Sequence, residues 1–184
     1  MDVLPISIYG DKILRVKAKP VEKVDDEIIS LIQNMFATMR YANGIGLAAN
    51  QVDIDKQIFV MDLSPVEGFE KEKPLVMINP EIILESDKTV VMEEGCLSLP
   101  NLKADVERPE LIKVKYLDTD EEEREIEIED LVSRVIQHEY DHLIGKMIPD
   151  RVDSVSRKRM KKELLRIMKR QVDIDYLVTT GKTG

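Results

Sequence analysis

The sequence predicts an α+β fold in which antiparallel sheets pack around a central helix, with one helix before the sheet region and another after it. Three observations predict it. Residues 56–128 fall into short segments rich in Val and Ile and separated by turn residues, the pattern of antiparallel strands. Apolar residues recur at intervals of three and four outside that region, near residues 25–41, 130–145 and 154–171. The middle stretch carries both histidines of the chain, His138 and His142, four positions apart.

Taken in order, residues 1–23 read as irregular, because Pro5, Gly10 and Pro20 interrupt any longer element. Asp25 and Asp26 open the first helix. Ile28, Ile29, Ile32, Met35, Phe36 and Met39 follow at helical spacing, and the acidic start suits the positive end of the helix dipole. The pattern stops at Tyr41-Ala42-Asn43-Gly44. The next stretch, Gly44-Ile45-Gly46-Leu47-Ala48-Ala49-Asn50-Gln51, is rich in small residues, and a Gly-x-Gly alone is most often a turn. It has neither the Gly-Lys-Ser/Thr of a phosphate loop nor the third glycine of a dinucleotide fingerprint.

Strands are expected at 57–62, 75–79, 81–85, 89–93, 111–117 and 123–128, with a loop at 64–74 and an acidic turn at Asp118-Thr119-Asp120. Between two of them stands Glu93-Glu94-Gly95-Cys96-Leu97-Ser98-Leu99-Pro100, with Pro100 expected to end the extended run. Asp130 is the expected cap of the second helix, which turns Leu131, Val135, His138, His142 and Leu143 inward and stops at Gly145. Asp153 or Ser154 caps the third helix, running to about residue 171. Met160, Leu164, Ile167, Met168 and Gln171 form its inner side, and Arg157, Lys158, Arg159, Lys161, Lys162, Arg166, Lys169 and Arg170 its outer side. Residues 179–184 are expected to fray.

The length of 184 residues fits one catalytic domain, 1–184, large enough to bury a core without disulfides. No apolar run approaches the roughly 20 residues of a membrane span. A net charge of -9 argues against a DNA-binding surface, since phosphates reward clustered Lys and Arg. Cys96 is the only cysteine, so no internal disulfide can form, in keeping with a reducing compartment. The opening Met-Asp-Val-Leu-Pro-Ile-Ser has no signal or transit character, and a cytoplasmic location is expected, which leaves open a mature organellar form with its transit peptide removed.

The chemistry is concentrated in Gln137-His138-Glu139-Tyr140-Asp141-His142-Leu143. Imidazoles four apart on a helix share a face and can grip one ion, and Glu139 beside the first can act as a general base on a water there. The bland reading, core histidines satisfied by hydrogen bonds, requires two His and a Glu near an apolar face without catalytic cause, which is costly. A catalytic site of this kind takes three protein ligands and keeps one position open. The place of a third His in the extended metalloprotease pattern is Ile148, which excludes that variant. Glu163 could serve as in other metallopeptidases, but it stands among cations. Cys96 is the better candidate, because a thiolate is a strong ligand for a borderline ion. A non-catalytic metal-binding module is the third alternative.

The Gly44 to Gln51 stretch, Glu94-Gly95-Cys96-Leu97-Ser98 and the histidine stretch resemble, in order and spacing, the three signature motifs of the peptide deformylases. The resemblance extends from the region of Asp11 and Arg15 through Asn79-Pro80 and Arg108 to the C-terminal helix, as in the bacterial class that ends in a helix. It implies removal of the N-formyl group from the initiating methionine of newly made proteins, with release of formate. It further implies one divalent ion, Fe2+, replaceable by Zn2+, Ni2+ or Co2+, on Cys96, His138 and His142, with Glu139 as base. Gln51 and the Leu97 N–H would be donors to the oxyanion, the segment Gly44, Ile45, Gly46 and the neighbouring Gly95 would meet the substrate backbone, and Ile45, Met92, Leu131 and Val135 would wall the methionine pocket. Two departures stand out: Gly10 where relatives often have proline, and Lys103 where arginine is frequent at the groove rim. The basic outer side of the third helix suggests docking on ribosomal RNA, weighed equally against a solvated amphipathic helix. Arg108 and Asp141 are expected to form a structural ion pair.

Overall fold

The computed structural model describes residues 1–181. A five-stranded antiparallel sheet has the order β1-β2-β3-β6-β7, built from β1 (Gly46–Ala48), β2 (Ile58–Met61), β3 (Leu75–Glu85), β6 (Ile112–Leu117) and β7 (Glu123–Ile128). A separate ribbon pairs β4 (Thr89–Cys96) with β5 (Leu99–Pro109). Three helices, α1 (Asp26–Tyr41), α2 (Asp130–Leu143) and α3 (Ser154–Met168), complete the α+β architecture.

The large sheet lies between α1 and α2. Alternate residues of a strand face opposite sides, so Phe59, Met61 and Met77 pack with Val135, Ile136 and Leu143 of α2. Ile58, Val60 and Ile78 pack on the other side with Ile28, Ile32, Met35 and Met39 of α1. Covering both faces explains why β2 is buried at every position and reads as an unbroken apolar run. The ribbon joins α3 in a third cluster, where Leu99, Leu102 and Val106 meet Leu164 and Ile167.

Several expectations change. Residues 75–79 and 81–85 form one strand, bulged where Asn79 takes a left-handed φ of 51°. The Asn79 amide uses both ends on the Val21 backbone, each at 2.8 Å, tying the bulge to the N-terminal segment. Strand β5 went unforeseen, and Pro100 does not end the extended run. The ladder skips from Gly95–Lys103 to Cys96–Leu99, so Pro100 sits in an irregularity where its missing N–H costs nothing. Asp130 does not cap α2. Glu129 holds the cap position, no side chain caps the helix, and Asp130 itself has a φ of 58°.

Asp153 caps α3, accepting from the N–H groups of Val155 and Ser156. The helix ends at Met168, which is largely exposed, so neither Met168 nor Gln171 belongs to its buried side. Arg170 is not on the open basic face but pairs with Asp11 at 2.7 Å. Nor does the chain fray from 179: the Thr179 N–H donates to Ile6 O at 3.0 Å and its hydroxyl to Asp11 at 2.6 Å. Residues 182–184 of the expected tail lie outside the described residues. At Gly10, φ is +107°, which proline cannot adopt, and a Cβ there would lie 2.5 Å from Met168 Cγ.

Gly145 ends α2 with φ at +72°, and a Cβ would come within 2.8 Å of the Arg15 carbonyl oxygen. Gly145→Ala is therefore expected to cost about 2 kcal/mol or more. At this chain length that corresponds to a melting temperature lower by roughly 5 °C, checked by thermal unfolding of wild type and variant side by side.

Candidate active site

α2 presents His138 and His142 on one side, and the end of β4 brings Cys96 to them. One ligand atom from each of the three lies within 4.8 Å of the other two. Cys96 Sγ is 3.3 Å from His142 Nε2, and the two imidazoles stand edge to face with centroids 5.1 Å apart. His138 commits Nδ1 to Glu94 Oε2 at 3.0 Å, which leaves Nε2 to the cluster. A thiolate with two imidazoles suits a borderline divalent ion and leaves room for a fourth ligand. Beside it, Glu139 Oε2 is buried and has no hydrogen-bond partner among the described residues. The residues thus fit a metal. Glu163 is not part of the cluster and bonds Arg166 at 3.0 Å on α3 instead.

Behind the Cys96, His138 and His142 cluster lies a buried network of charges. Glu94 accepts from Arg108 Nε at 2.6 Å and Nη2 at 3.0 Å, and from Arg134 Nη1 at 2.9 Å. Arg108 Nη1 continues to Asp141 Oδ2 at 2.7 Å, the expected ion pair, and Arg151 also bonds Asp141. Burial alone would raise the Glu94 carboxyl, but hydrogen bonds from His138 and Arg108 override it and hold the group well below the usual carboxylate range. Glu139 has no such donors, and burial pushes its carboxyl up to about 7, opposed by the charge of His138. The roles of Glu94 and Arg134 were not read from the sequence. The available signal was the Glu93-Glu94 pair on a strand, where alternation turns one of two adjacent carboxylates inward.

Gln51 stands in a short 3-10 turn after β1, and its orientation is set by its neighbours. Its Oε1 accepts the Ala48 N–H at 2.8 Å, so Nε2 points to Ser98 Oγ at 3.2 Å and towards Cys96 Sγ at 3.7 Å. The two glycines of the Gly-x-Gly have identifiable causes. A Cβ at Gly46 would lie 2.3 Å from Glu139 Oε1, and one at Gly44 would lie 2.7 Å from Leu97 Cδ1. Their smallness makes room for the site's own side chains.

These residues line a cavity of about 620 Å³ that includes Gly44, Ile45, Gly46, Gln51, Gly95, Cys96, Leu97, Leu131, Val135, His138 and Glu139. Met92 is not among its lining residues: it pairs with Val106 in the ribbon, four residues and about 13 Å along the strand from Cys96. Lys103 stands at the rim and bonds Glu93 at 3.0 Å. One wall was not anticipated at all, the stretch Asp173, Ile174, Asp175 and Tyr176 beyond α3. Burial raises the Tyr176 hydroxyl above its ordinary value and keeps it a donor.

A family model described as polypeptide deformylase matches residues 3–158. The peptide deformylase of Prosthecochloris aestuarii is 44% identical over 182 residues, covering 99% of this chain and 97% of that protein. That of Pelodictyon phaeoclathratiforme is 48% identical over 176 residues, covering 96% and 93%. Among solved structures, the Thermotoga maritima peptide deformylase superimposes with a TM-score of 0.78 at 44% identity, covering 83% of this chain and 99% of that one. The Legionella pneumophila enzyme gives 0.82 at 35% identity, covering 92% and 97%. With the family model spanning most of the sequence and single relatives nearly all of it, the chain belongs to the polypeptide deformylase family.

Proposed function

We propose that the cavity removes the formyl group from the N-terminal formyl-methionine of newly made polypeptides and releases formate. The observation that carries this reading is the meeting, in one cavity, of the Cys96, His138 and His142 cluster, the unpartnered Glu139 oxygen and the directed Gln51 amide. Cys96, His138 and His142 would hold one divalent ion, Fe2+ by the family resemblance, with Zn2+, Ni2+ or Co2+ able to replace it. Such an ion supplies Lewis acidity, polarising the formyl oxygen and acidifying water.

Glu139 takes the proton of the water that attacks the formyl carbon, a role suited to a buried carboxyl raised towards neutrality. The formyl oxygen gains negative charge as the carbon becomes tetrahedral, and the Gln51 Nε2 and Leu97 N–H groups donate to it. When the C–N bond breaks, Glu139 returns the proton to the departing amine. Formate and a free α-amino group result.

Strand β1 is an edge of the large sheet, and the adjoining segment Gly44, Ile45, Gly46 lines the cavity, which supports binding of the substrate backbone as an added strand. Gly95, with only Lys103 Cγ near its missing Cβ, leaves the opposite side unobstructed. Ile45, Leu131 and Val135 supply an apolar wall for the methionine side chain. Action on nascent chains supports a location in the cytoplasm or an equivalent compartment where such chains are made. No helix of the described residues is long and apolar enough to cross a membrane. Arg157, Lys158, Arg159, Lys161, Lys162 and Lys169 are exposed on α3 and just beyond it, which supports contact with ribosomal RNA.

Iron-loaded protein prepared anaerobically is expected to release formate from a formyl-Met dipeptide, and none released would remove the reading. Glu139→Gln should lower kcat by about 10²-fold or more while metal content stays the same. In metal analysis by mass spectrometry, Cys96→Ala should lose the ion and Glu163→Ala keep it; retention by Cys96→Ala would restore the metallopeptidase alternative. Replacing Lys161, Lys162 and Lys169 with Gln should weaken cosedimentation with ribosomes, more so at low salt.

A further inference from the structure

After α3 the chain runs over residues 172–179 without regular secondary structure, bending at residues 172, 175 and 176 and bridging Ile6 through Val178. Val172, Ile174, Tyr176 and Val178 are half-buried, whereas Asp173, Asp175 and Leu177 are exposed. Its far end is strapped to the N-terminal segment: the Ile6 N–H donates to Leu177 O at 2.9 Å and the Thr179 N–H to Ile6 O at 3.0 Å. Its middle forms a wall of the catalytic cavity. The family match ends at residue 158, so this wall lies beyond the matched portion.

The Tyr176 hydroxyl donates to the Leu97 carbonyl at 2.6 Å. Leu97 lies in the turn between β4 and β5, and the next carbonyl, that of Ser98, accepts the Tyr9 N–H at 2.8 Å. The Ser98 hydroxyl in turn accepts from Gln51 at 3.2 Å. Two successive carbonyls of the turn are therefore held from the N-terminal segment and from the strap, which are bonded to each other.

We propose that Tyr176 is a positioning residue for deformylation, its hydroxyl holding the Leu97 carbonyl so that the adjoining Leu97 N–H is aimed at the formyl oxygen. This rests on the reading of the Leu97 N–H as a donor to that oxygen. Peptide units are rigid planes joined at Cα, so once the unit that bears the Leu97 carbonyl is fixed, only the φ and ψ of Leu97 separate it from the unit that bears its N–H, whose other end is held at Cys96 in β4. A donor turned away from its acceptor weakens steeply with angle. The loss falls on the transition state, where the oxygen carries most charge, and so on kcat rather than KM.

Tyr176→Phe removes the hydroxyl oxygen alone. Thr179→Val removes the strap's hydroxyl contact with Asp11 and leaves Leu97 untouched. With formyl-Met peptide, Tyr176→Phe is expected to lower kcat about tenfold, less than outright loss of an oxyanion donor, with KM within about twofold, and Thr179→Val to stay near wild type. In zinc-loaded, 15N-labelled protein, the Leu97 amide resonance should move when formate is added, and move less in Tyr176→Phe. Equal kcat and equal amide response in Tyr176→Phe and wild type would overturn the proposal. So would a kcat loss in Thr179→Val as large as that in Tyr176→Phe, which would assign the effect to docking of the strap. A wild-type Leu97 amide that ignores formate would remove the donor reading itself, and the proposal with it.

Discussion

Arg108 sits at the centre of a buried set of charges, with Glu94 on one side and Asp141 on the other, all within hydrogen-bond distance and all nearly inaccessible. It joins β5 to β4 through Glu94 and both to α2 through Asp141. The same Glu94 takes His138 Nδ1, so the ribbon fixes the tautomer and rotation of one imidazole of the cluster while carrying Cys96 at its own end. Burying such charges is expensive, and breaking one pair in a site of this kind typically costs about 3–5 kcal/mol because its partner is left uncompensated. Their retention is better explained by geometry than by stability. Without that link, two independent layers would bring their ligands together only loosely.

The second constraint is the placement of α2 across the large sheet. Its apolar residues Val135, Ile136 and Leu143 are anchored in the core beneath. The polar residues that alternate with them are turned towards the ribbon, where Asp141 accepts from Arg108, Gln137 donates to Pro109 O and His138 bonds Glu94, while Glu139 Oε2 and His142 Nδ1 have no hydrogen-bond partner among the described residues. Environment separates two carboxylates in the same site. Glu94 is surrounded by cations and stays ionised, whereas Glu139 is buried without donors and holds its proton to higher pH.

The ends of the chain contribute more than closure. The N-terminal segment binds the bulge of β3 through Asn79, the turn after β4 through Tyr9 and the strap through Ile6. Residues far apart in sequence thus hold the Leu97 turn that lines the cavity, which is why the cavity has a wall made from the stretch beyond α3.

Periodicity and residue type carried a large share of the outcome. The extents of α1, β2 and β7, the helix bearing both histidines, and Cys96 as the ligand candidate were legible because each depends on local spacing or on the chemistry of a rare residue. Strand β5 was hidden because its inward positions include Ala104 and Arg108 and its start contains a proline, a pattern explained only by the bulge and the buried ion network. Met92 was misplaced as a pocket wall, since strand spacing says nothing of where along a ribbon the cavity opens. The glycines of Gly44-Ile45-Gly46 were noticed as unusual, but their cause, the Leu97 and Glu139 side chains, comes from elements about 50 and 90 residues away. By itself the sequence determined the reactive groups and the local elements bearing them, because these follow from side-chain chemistry and short-range spacing. Only the tertiary structure decided which carboxylate is ionised, which face the Gln51 amide presents and that Tyr176 reaches Leu97, because burial and long-range hydrogen bonds exist only once the chain has folded.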